Sequence, residues 1–251
     1  MITVAAHAKL TVSLRVTGVR SDGYHLIDAE MVTLDLADQL IIDPNGRGLS
    51  VLGRYAHGVP TDDTNLVAKA LRLCGRNAAV HVDKNVPHGA GLGGGSADAA
   101  AVLRWSGFTD LGAAAQLGAD VPFCMVGGRA QVTGIGETIA KLAHVQRTFT
   151  LIIPPLSCAT AAVYAAWDAL GGPSTDGAND LEPAAIVVEP TLARWRDRIT
   201  EATGRRPALA GSGASWFVEG HHHGLGHLLP EAHVVVATTV DSATANGTTV
   251  A

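Results

Sequence analysis

The residues best equipped for chemistry in this chain are a run of glycines, an aspartate and a lysine. Residues 87–100 read PHGAGLGGGSADAA, with five glycines between Gly89 and Gly95. Glycine costs roughly 0.5–1 kcal/mol of ordering free energy relative to alanine, so the run points to backbone that something must approach. A Walker-type loop needs a lysine after its glycines, and Ser96 follows here instead. Gly89 to Gly94 does match GxGxxG. That fingerprint belongs to an opening βαβ unit, however, whereas this match lies mid-chain. A third reading curls the N–H groups of Gly91, Gly93, Gly94, Gly95 and Ser96 around phosphate oxygens. A helix beginning near Ser96 would add its free amides and dipole. Ser96 would cap that helix or donate its hydroxyl, and Asp98 would face away or take a structural partner. A tight turn serving only close helix packing stands beside these readings.

Bound phosphate asks for a base or positioning group elsewhere. In LGADVPF, residues 117–123, Asp120 follows a helical stretch and precedes Val121 and Pro122 in apolar surroundings. A partly buried carboxylate needs a partner. Lys9, the one charge in AAHAKLTV, supplies it. Together they could position a hydroxyl and neutralise charge in phosphoryl transfer. Taken singly, Asp120 also reads as a helix-to-strand cap and Lys9 as a side chain snorkelling from a sheet.

The elements that must hold these groups follow from the pattern. ITVAAHAKLTVSLRVTGV and LIDAEMVTLDLADQLIIDP are strand-like, joined by the turn RSDGYH. DDTNLVAKALRLCGR has helical spacing with Asp or Thr as cap, and AAVHVDK is a short strand into the glycines. SADAAAVLRWSG and TDLGAAAQLG read as helices. ADVPFCMVGGRAQVTGIGE reads as a turn followed by hairpin strands. Past a seam near residues 141–150 come the strand TFTLIIPP, two helices and closing β–turn–β segments. The mixture predicts an α+β fold in two domains, residues 1–145 and 146–251.

Of the 251 residues, 47% are hydrophobic and 16% charged, which is globular composition. The net charge of −5, without a basic cluster, disfavours nucleic acid. No apolar run reaches membrane-spanning length and the start lacks an export signal. Cys74, Cys124 and Cys158 are odd in number and widely spaced, so reduced thiols and a cytoplasmic location are expected. The histidines at 221–223 lack metal-site spacing and read as an exposed loop. Trp167, Trp195 and Trp216 read as packing residues, and RWRDR at 194–198 as a solvated helix face.

Taken together, AKLTVSLRVTGVRSDGYHLI, DDTNLVAKA, PHGAGLGGGSADAA, LGADVPF, NDLEP and AGSGASWF resemble, in family order, the GHMP kinase superfamily. The branch they resemble is the 4-diphosphocytidyl-2-C-methyl-D-erythritol kinases. That resemblance implies an N-terminal ribosomal-protein-S5-domain-2-like domain holding the ATP phosphates and a smaller C-terminal α/β-sandwich domain. It implies phosphorylation of the 2-hydroxyl of the diphosphocytidyl substrate by ATP, in non-mevalonate isoprenoid precursor synthesis. Lys9 and Asp120 would be the catalytic pair. Pro87, Gly89, Ala90, Gly91, Leu92, Gly93, Gly94, Gly95 and Ser96 would hold ATP, with Mg2+ accompanying it on no assigned protein ligand. Tyr24 and His25 would meet the cytidine, since a tyrosine ring stacks on a pyrimidine and a neutral histidine offers one donor and one acceptor. Tyr164 would be the opposite stacking face. Gly211, Ser212 and Gly213 would form a third, close-approach turn.

The chain departs from the family at Thr11, where asparagine is usual, and at His7, where proline is common. Thr11 replaces only part of what asparagine does at a substrate contact. Two alternatives follow: a GHMP kinase acting on mevalonate, homoserine or a sugar, and a nucleotide-binding homologue disabled at Thr11. The partner is expected to be a small molecule, with no membrane, and the protein a monomer or homodimer.

Overall fold

The computed structural model describes residues 1–250. Its frame is a long antiparallel pair, β1 (Ile2–Val19) and β2 (His25–Asp43), joined by the expected turn at residues 20–24. β-branched and aliphatic residues recur at alternate positions, and Val4, Ala6, Ala8 and Leu10 are all buried. Lys9 and Thr11 are buried too, because both faces of β1 are covered at that level. The pairing register shifts between His7 and Lys9 and again between Thr11 and Ser13. Such irregularities re-aim side chains, and these two flank Lys9.

β3 (Gly48–Leu52) leads to α1 (Leu66–Leu73) and β4 (Ala79–Asp83). Asn65, rather than Asp or Thr, caps α1, its side chain accepting from the Val67 amide at 2.8 Å. After the glycine loop come α2 (Gly94–Ser106), α3 (Leu111–Ala115) and α4 (Val121–Val126), then the hairpin β5 (Arg129–Gly134) and β6 (Thr138–Leu142). The segment VPFCMV, expected to be a turn, is thus a short helix. Pro122 in its first turn costs no hydrogen bond, and an all-apolar run of six carries no period that would announce it.

The remainder is β7 (Thr148–Ile153), α5 (Thr160–Ala169), α6 (Glu182–Val188), α7 (Thr191–Thr203), β8 (Ala208–Leu209), β9 (Trp216–Glu219), α8 (Leu225–Leu228), β10 (His233–Val240), α9 (Ser242–Ala245) and β11 (Thr248–Val250). One edge of β2 is shared in succession by β5, β10 and β4, so β10 stitches β7, β9 and β8 to the long hairpin. β11 returns to pair with β1. The fold is α+β, as the sequence predicts.

Two apolar cores result. The larger lies between the sheet and the helices. The smaller gathers Ala8, Leu10, Leu34, Ala90, Leu92, Phe149, Leu151, Ala210 and Phe217. Leu92 is fully buried there, which stabilises the fold by roughly 1.5–3 kcal/mol. It therefore anchors the middle of the glycine loop into the sheet. The Lys9 amide donates to the Leu92 carbonyl at 3.0 Å, tying loop to strand.

Candidate active site

Lys9 enters the site from β1, with its side chain only 5% exposed, and Nζ lies 3.2 Å from Asp120 Oδ2. The same ammonium donates to Thr11 Oγ1 at 3.0 Å. Two of its three N–H groups are thereby directed by protein, and Thr11 serves as an acceptor that aims the lysine. Asp120 precedes α4, but its side chain makes no cap hydrogen bond. The cap reading of Asp120 therefore fails, and the carboxylate, 29% exposed, faces lysine and cavity.

The cavity beside them has a volume of about 730 Å³. Lys9, Thr11, Tyr24, His25, Gly89, Gly91, Asp120, Tyr164, Gly211 and Ser212 line it; Pro87, Ala90, Leu92 and residues 93–96 do not. Ala90 and Leu92 instead put their side chains into the smaller core. Tyr24 is 56% exposed at the rim. His25 is tilted against Tyr164, with ring centroids 4.6 Å apart and 33° between planes, and meets Trp167 edge-on at 5.6 Å. Its Nε2 is 2.8 Å from Asp168 Oδ1, so one of the two ring nitrogens expected to serve a ligand is already engaged. Burial, with the nearby Asp120 charge, pushes the Tyr164 hydroxyl up to about 12; it stays protonated through the neutral range.

The glycine loop runs into a helix, as expected, but not at the expected residue. α2 begins at Gly94, two residues earlier than expected. Its N-cap is Gly93, at φ 68°, with no side-chain cap hydrogen bond. Ser96 is therefore not the cap, and the first-turn amides of α2 keep their donors available for an anion. Close packing explains part of the glycine content. A Cβ at Gly91 would sit 2.3 Å from the Ala210 carbonyl oxygen, and one at Gly93 would sit 2.7 Å from Lys9 Cγ. Gly95 differs: a Cβ there would make only an ordinary 3.6 Å contact with Leu66. Protein packing does not demand glycine at that position.

The third turn is held by a residue whose role the sequence did not specify. Asn179, buried in the NDLEP stretch, donates to the carbonyls of Leu209 at 2.9 Å and Gly211 at 2.6 Å. Ser212 Oγ lies 2.9 Å from Thr160 Oγ1 at the start of α5. Lys84, Asp168 and Thr160 are also absent from the sequence reading. Lys84, just before the glycine loop, pairs with Asp38 and, at 2.7 Å, with Asp98. Asp98 thus has the structural partner expected of it. Its place as the lone acid near the start of α2 was the available signal; nothing local identified the lysine.

Residues 65–128 match the model of the GHMP kinases N terminal domain. A 4-diphosphocytidyl-2-C-methyl-D-erythritol kinase of Paracoccus denitrificans (strain Pd 1222) is 38% identical over 232 residues, covering 85% of each chain. The protein of the same name from Clostridium kluyveri is 32% identical, over 85% of this chain and 89% of its own. A crystal structure of 4-(cytidine 5'-diphospho)-2C-methyl-D-erythritol kinase superposes with a TM-score of 0.74 at 29% identity, covering 94% of this chain and 98% of that one. A putative homoserine kinase from Listeria monocytogenes shares the fold, at 16% identity and a TM-score of 0.61, over 99% and 98% of the two chains. By sequence and by architecture, the chain belongs to the 4-diphosphocytidyl-2-C-methyl-D-erythritol kinase family of GHMP kinases.

Proposed function

We propose that the protein transfers the γ-phosphoryl group of ATP to the 2-hydroxyl of 4-diphosphocytidyl-2-C-methyl-D-erythritol. The observation that carries this reading is the Lys9–Asp120 contact of 3.2 Å in one cavity with Tyr24, His25 and Tyr164. The uncapped first turn of α2 offers its amides to the ATP phosphates. The remaining N–H of Lys9 is the donor for the transferring group, where it offsets charge in the transition state. Asp120 accepts a hydrogen bond from the acceptor hydroxyl and takes its proton as the new P–O bond forms and the bond to ADP breaks. Because that transition state is loose, orientation of the hydroxyl is the larger part of the task.

A pyrimidine fits beside Tyr24 and the His25–Tyr164 pair, whose faces are apolar and whose edges are polar. For Mg2+, Ser96 and Asp120 would be the residues to offer the hard oxygen donors that ion prefers. The Ser96 hydroxyl lies 3.7 Å from where a Cβ on Gly118 would be, two residues before Asp120. Bound there with the nucleotide, the ion would neutralise charge on the phosphate oxygens.

ADP release measured with and without the diphosphocytidyl substrate tests the reading. Substrate-dependent release is expected, and release indifferent to that substrate would overturn it. Tyr24→Ala is expected to raise KM for that substrate about tenfold, the loss of one base stack. An unchanged KM would remove Tyr24 from the base site.

A further inference from the structure

His25 is held from several sides. Asp168, one helical turn beyond Tyr164 on α5, takes Nε2 at 2.8 Å; Tyr164 covers one face and Trp167 meets the edge. Trp167 is itself pinned, its Nε1 donating to the Pro173 carbonyl at 2.9 Å. A carboxylate can only accept, so the proton of the neutral imidazole sits on Nε2 and its lone pair on Nδ1.

We propose that Asp168 is a specificity-determining positioning residue: by keeping the proton on Nε2 of His25, it presents Nδ1 to the substrate's base as a hydrogen-bond acceptor. This rests on the reading that the substrate carries a cytidyl group. Cytosine places an amino donor where a uracil-type base places a carbonyl. The acceptor pairs with the amine. Against the carbonyl it leaves two lone pairs facing each other, each without the hydrogen bond it had in water. Asp168 thereby sets base choice without touching the base. Its side chain is 50% exposed, so substitution there leaves the core intact.

The test compares cytidine 5'-diphosphate with uridine 5'-diphosphate by calorimetry, with ADP saturating the ATP site. Wild-type protein is expected to favour the cytidine nucleotide. Asp168→Asn keeps an acceptor for Nε2 and should hold that preference within about threefold. Asp168→Lys offers only donors, forces the proton to Nδ1, and should reduce the preference by about tenfold or more. The 15N shifts of His25 should move from the Nε2–H to the Nδ1–H pattern in the same variant. If the lysine variant fails to fold, Asp168→Ala replaces it, with loss of the ring anchor expected to erode the preference severalfold. An Asp168→Lys or Asp168→Ala protein that keeps the wild-type ratio overturns the role of Asp168. So does an Asp168→Asn protein that loses as much as the lysine variant. Wild-type protein that binds neither nucleotide beside ADP overturns the cytidyl reading itself, a separate result.

Discussion

Lys9 and Lys84 are both buried, both approach the glycine loop and both pair with aspartate. Lys9 has one carboxylate, partly exposed, and a threonine oxygen, and it looks into a cavity. Lys84 is enclosed by two carboxylates, Asp38 and Asp98. Asp38 also accepts from the amides of Asn85 at 2.6 Å and Val86 at 2.7 Å. The two carboxylates outnumber their ammonium. Burial, opposed by Lys84 but reinforced by the Asp38 charge, pushes Asp98 up to about 7. A charge meant for chemistry keeps one side open to its substrate. A charge meant to hold a loop is closed on every side, and the desolvation of that closed cluster makes it costly to break.

The contrast can be broken most strongly at Asp120. Asp120→Asn is expected to lower kcat by about 10²–10⁴ while the melting temperature stays near wild type; near-normal turnover would remove the aspartate from the chemistry. Lys9→Met should lower kcat by roughly 10²–10³, the scale of one transition-state donor, with ATP affinity changing less. Equal losses in both would make Lys9 a binding group. Lys84→Met should act oppositely, destabilising the fold by about 3–5 kcal/mol by stranding two buried carboxylates. Denaturant unfolding measures this, and a loss of turnover at full stability would place Lys84 in the chemistry.

The smallest effect sharpens the enclosed cluster. Asp98 is raised in the folded state, so between its unfolded and folded pKa values the native protein holds a proton that the unfolded chain has released. Its contribution to stability is therefore greatest at low pH and is lost as pH rises toward about 7. Asp98→Asn has no such proton and should gain on wild type from pH 5 to pH 8, by an amount on the order of 1 kcal/mol. A difference with no slope, or the reverse slope, would mean that Asp98 is ionised throughout.

Much of this was legible before folding. Alternating apolar residues announce β1 and β2, and the glycine run marks a loop entering a helix. Asp120 and Lys9 stand out as charges in apolar strings. Helix α4 was not legible, because six apolar residues around a proline fit a turn equally well. The start of α2 was misplaced because Ser96 is the better capping side chain, yet the left-handed Gly93 begins the helix without one. Asn179 was visible only as part of a motif; its two donated hydrogen bonds reach residues 30 and 32 positions away.

What the sequence by itself determined is the set of chemical types and their order: a backbone open to anions, one acid in an apolar setting, one strand lysine and an aromatic pair at the first turn. Tertiary structure alone decided which lysine meets the cavity and which is sealed. It also set Asp168 against His25 across 143 residues of chain. The physical reason is that local period and propensity specify which face a residue occupies, whereas its partner depends on elements brought together by burial of the two cores.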